Sequence, residues 1–222
     1  NNTVIASLML DAGAVDAMIC GTVGRYHNHL RHVSQVVGLG DGVDKLSSLN
    51  VLLLPQGQLV FICDTQVTED PTPREIANMT LLAADQVRRF GNTPKAALLS
   101  HSNYGSSDFA SAQKMRSALA LITKEAPDLV VDGEMHGDSA LSEAIRKRLY
   151  PNTSFDGEAN LLIMPTLDAA NITYNIVKTV TGATSIGPIL LGVAKPVHIL
   201  TTSVTSRGVV NISALAVLDA QG

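Results

Sequence analysis

Five stretches of the chain gather residue types that can do chemistry. Near the C-terminus an apolar run ends at Leu200 and gives way to Thr201, Thr202, Ser203, Thr205, Ser206 and a lone Arg207. A hydroxyl-rich loop between a strand and a helix is a place for anion binding, yet residues 201–207 hold no carboxylate, histidine or cysteine. Upstream, GATSIGPILLG (182–192) has Gly187, Pro188 and Gly192, which allow close backbone approach by a ligand. GTVGRYHNHLRH (21–32) sets a glycine turn before a helix, where free N–H groups hold an anion and Arg25 or Arg31 would add charge. Its histidines at 27, 29 and 32 also allow a metal, but positions i and i+2 do not share a helix face and no acidic or thiolate ligand is near. A solvated helix face is the plainer reading.

LLSHSNYGSSD (98–108) offers Ser100-His101-Ser102 as nucleophile and base, but adjacent strand residues point to opposite faces. Helix capping by Ser106, Ser107 or Asp108 is the simpler role. VDGEMHGDSAL (131–141) crowds Asp132, Glu134, His136 and Asp138 into a strand-to-helix loop fit for a general acid or a metal. The alternative is scaffolding, with Asp138 capping the next helix and Gly133 and Gly137 making turns.

These loops follow strands, and open α/β sheets bind ligands beyond the C-terminal ends of their strands. Expected strands are Ala17–Cys20, Asn50–Leu54, Leu59–Cys63, Lys95–Ser100, Leu129–Asp132, Asn160–Met164 and Val197–Leu200. Most are unbroken apolar runs, as in central strands covered on both faces. Leu54-Pro55-Gln56-Gly57-Gln58-Leu59 predicts a hairpin, so part of the sheet is antiparallel. The clearest helix runs from Pro73 to Phe90: Thr72 caps it, Glu75 completes a capping box, Ile76, Met79, Ala83, Val87 and Phe90 form its buried stripe, and Gly91 ends it. The pattern is α/β with a mixed sheet. Gly91-Asn92-Thr93-Pro94 is one expected boundary, and Gly182–Gly192, which interrupts the pattern, a second.

With 222 residues, 45% hydrophobic and 16% charged, the chain can bury a sizeable core. A net charge of −4 without like-charge blocks argues against nucleic acid and anionic membrane as partners. Arg146-Lys147-Arg148 is expected to complement a helix dipole. Cys20 and Cys63, both in apolar runs, are expected as buried thiols of a cytoplasmic protein. No apolar run is long enough to span a bilayer, and NNTVIASLMLDAG opens at once as an amphipathic helix, as though partway through a domain.

DAMICGTV (16–23), FICDTQVTEDPTPREIA (61–77), VDGEMHGDSAL, IGPILLGVAKPVHIL (186–200) and the closing VNISALAVLDAQ (210–221) together resemble the phosphate acetyl/butyryltransferase family from end to end. LLSHSNYGSSD, GTVGRYH and KPVHILT look like its branch in the C-terminal part of hybrid NADP-dependent malic enzymes. The resemblance implies two α/β/α subdomains of isocitrate/isopropylmalate dehydrogenase type with mixed sheets and a cleft between them, residues 1–92 plus 190–222 forming one and 93–189 the other. In active transferases of the family a Ser-Arg pair and a nearby Asp follow the KPV segment, the Arg steadying the acyl phosphate and the Asp taking the thiol proton of coenzyme A. Here those positions fall on Thr201, Thr202 and Gly208, while a second phosphate-contacting Arg falls on Arg31.

The expectation is therefore a regulatory and oligomerising module with no catalytic residue and no metal of its own, holding acetyl-CoA as an allosteric inhibitor. Its ligand contacts would come from Arg31, Ser102, Gly187, Pro188, Thr201, Thr202 and Ser203. NADP and a divalent metal would belong to a malic enzyme catalytic domain in the same chain, outside these residues. The alternative is an active phosphate acetyltransferase whose base is Asp138 or His136.

Overall fold

The computed structural model describes residues 1–153 and 155–221. Its largest unit is a six-stranded sheet ordered β5-β4-β6-β3-β2-β7: β2 Ser47–Leu53, β3 Leu59–Cys63, β4 Lys95–Leu99, β5 Val130–Met135, β6 Leu161–Ile163 and β7 Thr184–Leu191. The 54–58 turn makes β2 and β3 an antiparallel pair, β7 joins β2 antiparallel, and β3, β6, β4 and β5 run parallel. Side chains in these apolar runs alternate between two cores. Leu49, Val51, Phe61, Leu98 and Leu161 face α3 (Pro73–Arg89), α4 (Ala110–Glu125) and α8 (Ser206–Ala220), whereas Leu52, Ile62, Ala97 and Leu162 face α5 (Gly137–Leu141) and α7 (Leu167–Thr181). Two covered faces explain why the runs are uninterrupted rather than alternating with polar residues.

A second, two-stranded parallel sheet pairs β1 (Met18–Gly21) with β8 (Val197–Leu200). Helices α1 (Asn2–Asp11) and α2 (Tyr26–Val36) cover it, with Leu10, Val33, Val197 and Ile199 in a third core. Leu190 of β7 belongs to that core too, so β7 ties the two sheets together.

Helix α3 forms as expected. Thr72 accepts from the Glu75 N–H, Glu75 accepts from the Thr72 N–H, and Gly91 takes a left-handed φ of 74° just after the cap. Other expectations change. Most of the 182–192 stretch, Thr184–Leu191, forms edge strand β7: Ile189 pairs with Leu49 and Ile186 with Val51, so Gly187-Pro188 bulges opposite Asn50. Proline has no N–H for a ladder, and bulged edge strands are where it fits. Strand β5 continues through Gly133 and Glu134 to Met135, which places Glu134 in the sheet, not in a loop. The 92/93 limit falls inside one sheet, since β3 on one side and β4 on the other both hydrogen-bond to β6.

Arg146 does not serve the dipole of α6 (Glu143–Leu149); it is wholly buried, donates to the carbonyls of Ser139, Phe155 and Gly157, and stacks 4.7 Å from the Phe155 ring centre. Its apolar cage and three acceptors make it an internal strut. Cys63 is buried, whereas Cys20 is only partly so.

Candidate functional site

A cleft of about 440 Å³ opens between the two sheets. Three segments form it. β8 delivers a buried apolar strand that ends at Leu200, after which the chain turns through Thr201 and Ser203 into α8. Thr205 caps α8, its Oγ1 accepting from the Gly208 N–H at 3.1 Å, so the first turn of α8, with Arg207, borders the cleft. β7 contributes Ser185, Gly187 and Pro188. At Gly187 the backbone has φ 128°, and an added Cβ would lie 3.0 Å from the Leu49 carbonyl, so only glycine fits.

The facing wall is α7. Asn171, Asn175 and Lys178, spaced i, i+4 and i+7, share one helix face and turn it toward the cleft, with Tyr174 beside them. Lys178 lies 4.7 Å from the Tyr174 ring centre and donates to Asn175 Oδ1 at 3.1 Å. Tyr174 OH and Ser185 Oγ are 2.7 Å apart, joining helix to strand.

Beneath the wall, a buried carboxylate fixes the loop after β3. Asp64 Oδ1 accepts from Ser48 Oγ (2.6 Å) and from the Ser48, Gln66 and Val67 N–H groups (each 3.1 Å), and Oδ2 from the Thr68 N–H (2.9 Å). Thr65 then donates to Asn50 Oδ1 at 2.9 Å, and Asn171 to the Thr65 carbonyl at 3.2 Å. Burial lifts the Asp64 carboxyl above its usual range despite these five bonds. With its oxygens committed inward, Asp64 positions Gln66 and Asn50 at the cleft instead of acting on a ligand.

Among the described residues, the cleft lining holds amides, hydroxyls and two cations, Lys178 and Arg207, but no Asp, Glu, His or Cys. Such a surface grips an anion: the two positive side chains and the N-terminus of α8 favour negative charge. Among the described residues that line it, none is a carboxylate, imidazole or thiol placed to take a proton.

Of the residues expected at the site, Gly187, Pro188, Thr201 and Ser203 meet here. Thr202 lies between two lining residues and is itself exposed. Arg31 is exposed and opens on a neighbouring depression with Asp44, Lys45 and Val67. That depression meets the cleft only through the 64–68 loop, which sends Val67 one way and Gln66 the other.

Ser102 lies elsewhere, fully buried after β4, donating to Glu134 Oε1 at 2.7 Å. Glu134 also accepts from the Gly105 N–H and from Arg116, both at 2.9 Å. Burial raises its carboxyl, but these bonds outweigh that and hold it below the ordinary value. Neither Asp138 nor Ser106, Ser107 or Asp108 caps a helix by side chain: His136 and Phe109 occupy the cap positions of α5 and α4. Ser106 Oγ instead accepts from the Asn103 N–H, and Asp138 from the Ser139 N–H. His136 and Asp138 follow β5, five strand spacings or about 24 Å across the sheet from β7, and neither lines the cleft. Two of the three α2 histidines make structural contacts: His29 bridges Thr3 Oγ1 and the Val23 carbonyl, both at 2.8 Å, and His32 meets Asn1 at 2.9 Å, while His27 lines the depression beside Arg31.

Sequence reading missed the α7 face and Gln66. The signal was present as the N-x3-N-x2-K spacing in NITYNIVK, a polar stripe on an otherwise apolar helix.

Comparison with known proteins places this geometry. The sequence profile described as Phosphate acetyl/butaryl transferase matches residues 1–217. A NAD-dependent malic enzyme of Rhizobium meliloti (strain 1021) is 56% identical over 99% of this chain, and an NADP-dependent malic enzyme of Escherichia coli (strain K12) is 52% identical over all of it. The chain spans 28% and 29% of the lengths of those relatives. A phosphotransacetylase from Streptococcus pyogenes superposes with a TM-score of 0.90 at 27% identity, over 98% of this chain and 66% of that one. The shared fold is mixed α/β with parallel and antiparallel strands.

Proposed function

The chain belongs to the phosphate acetyl/butaryl transferase family, and from that membership we propose that it is a ligand-sensing module of a malic enzyme, binding acetyl-CoA without transferring its acyl group. One observation carries the reading: the cleft has cations and hydrogen-bonding groups but, among the described residues, no carboxylate or imidazole to serve as base. Acyl transfer to coenzyme A needs a proton acceptor beside a thiol of pKa ~8.5 and cationic stabilisation of the phosphoryl oxygens. Loss of a positioned base removes about 10²–10⁴-fold of rate. Thr202 and Gly208 stand where the family resemblance expects the guanidinium and the carboxylate. Arg207, beside Gly208 in the first turn of α8, and Lys178 of α7 supply charge for binding.

As a feedback inhibitor, acetyl-CoA would need to favour one arrangement of the assembly by a factor of about 5–150, or ~1–3 kcal/mol. The nicotinamide coenzyme and divalent metal of such an enzyme would be held by residues outside this sequence. Either coenzyme fits, since one relative is named for NAD and the other for NADP.

The decisive experiment pairs calorimetry with a coupled assay of coenzyme A-dependent cleavage of acetyl phosphate. Saturable acetyl-CoA binding without turnover, weakened by Lys178→Ala and Arg207→Ala, is the expected result; robust turnover would refute the sensor.

Oligomerisation belongs to the same proposal. α7 exposes Ile172 (57%), Ile176 (56%) and Val180 (80%) at i, i+4 and i+8, an apolar stripe suited to self-association. Light scattering should find a dimer or larger species that Ile176→Lys dissociates. A monomeric parent chain would remove this half of the reading.

A further inference from the structure

The far ends of β7, β8 and α8 close a second cavity, of about 310 Å³, against the last turns of α3 and the 192–197 turn. One of its lining residues is out of place for a packed core. Gln86 is only 6% exposed, and its amide nitrogen meets no acceptor. An unpaired buried amide group costs about 1–3 kcal/mol.

Of the two carboxylates in the lining, Asp219 is engaged through both oxygens and the exposed Asp85 through one. Asp219 Oδ1 takes Arg89 Nη1 at 2.9 Å, Asp219 Oδ2 meets His198 Nε2 at 3.1 Å, and Asp85 Oδ1 takes Arg88 at 2.6 Å. Donor capacity is in excess: Arg89 gives one nitrogen to Asp219 while its side chain stays 56% exposed, and a guanidinium carries five N–H groups. Unspent donors on Gln86 and Arg89 outnumber the one uncommitted carboxylate oxygen, on exposed Asp85, and so fit a ligand that only accepts.

We propose that this cavity is a binding site for a small carboxylate, held by the Gln86 amide N–H and the free N–H groups of Arg89. A planar carboxylate matches a guanidinium face. The paired state of Asp219 blunts its repulsion of the incoming charge. The site is separate from the acetyl-CoA cleft, although both border β7, β8 and α8, at opposite ends of each.

The test is an NMR titration of the whole chain with sodium acetate and sodium succinate, against sodium chloride at matched ionic strength. Expected are saturable amide shifts confined to the end of α3 and residues 192–197. Gln86→Leu should weaken binding about tenfold or more, one hydrogen bond to a charged group. In the same variant the unliganded protein should melt no lower than wild type, because an apolar side chain replaces an unpaired amide. Lys178→Ala, in the other cleft, should leave the titration unchanged. Absence of saturable shifts, shifts in the 201–208 segment instead, or equal binding by Gln86→Leu and wild type would each overturn the proposal.

Discussion

At the scale of single residues, the proposed loss of acyl transfer turns on Gly208. It is buried in the first turn of α8, and a Cβ there would sit 2.9 Å from Val204 Cγ2. Reinstating a carboxylate thus meets a packed valine as well as an altered sequence. Gly208→Asp should destabilise by about 1–3 kcal/mol through overpacking, read from the urea midpoint, and Val204→Ala in the same chain should recover part of that loss. An unchanged midpoint would mean that Val204 turns aside freely. Resemblance made Gly208 visible in the sequence, but not the reason it stays glycine. The latter depends on Val204, four residues earlier, folding back over it once Thr205 caps the helix. Asp64 illustrates the same limit. It reads as one acidic residue after an apolar strand, and only the folded loop reveals five donors converging on it.

At the scale of elements, the strands and α3 were legible because their causes are local: unbroken apolar runs, a turn, and a capping box within four residues. β7 was not legible, since Gly187 and Pro188 break a strand unless a partner accommodates the bulge, and that partner, β2, lies more than 130 residues earlier. The bulge also shapes the cleft. Gly187→Ala would force a Cβ to 3.0 Å from the Leu49 carbonyl at a φ of 128°. Strain of about 1–3 kcal/mol follows, with weaker acetyl-CoA binding because Ser185 and Pro188 shift along with the backbone. The burial of Glu134 within β5, between buried Gly133 and Met135, was equally hidden. Two glycines suggest a loop, yet Gly133 sits in a strand where an added Cβ would lie 2.7 Å from the Leu98 carbonyl. Thermal melts and calorimetry on Gly187→Ala should move together; tight binding in a destabilised variant would separate the bulge from the site.

At the scale of the whole molecule, the question is what holds the small sheet to the large one. A two-stranded sheet is marginal alone, so β1 and β8 depend on contacts across the boundary. Leu190 of β7 packs in the small-sheet core, Leu200 of β8 packs in the large-sheet core, and a polar chain runs beside them: Arg89 of α3 binds Asp219 of α8, which binds His198 of β8, whose Nδ1 accepts from the Leu190 N–H. Burial raises the Asp219 carboxyl, but the hydrogen bond and charge of His198, followed by those of Arg89, outweigh it, and the net shift is below its usual 3.8. A carboxyl whose folded pKa is depressed binds fewer protons in the native state than in the unfolded one. Its stabilisation is therefore complete above the unfolded value and is lost as pH falls through the folded one. Asp219→Asn removes that contribution at every pH. Wild type and variant should then differ at neutral pH by about 1–2 kcal/mol, given the exposure of Arg89. For a chain of this size that is roughly 3–6 °C in Tm. The gap should begin to close as pH falls below the usual 3.8 and vanish once pH has passed the depressed folded value, where the native carboxyl gains its proton. A gap that stays constant down to the acid transition would mean the junction rests on packing alone, with Leu190 and its neighbours joining the sheets without help from charge.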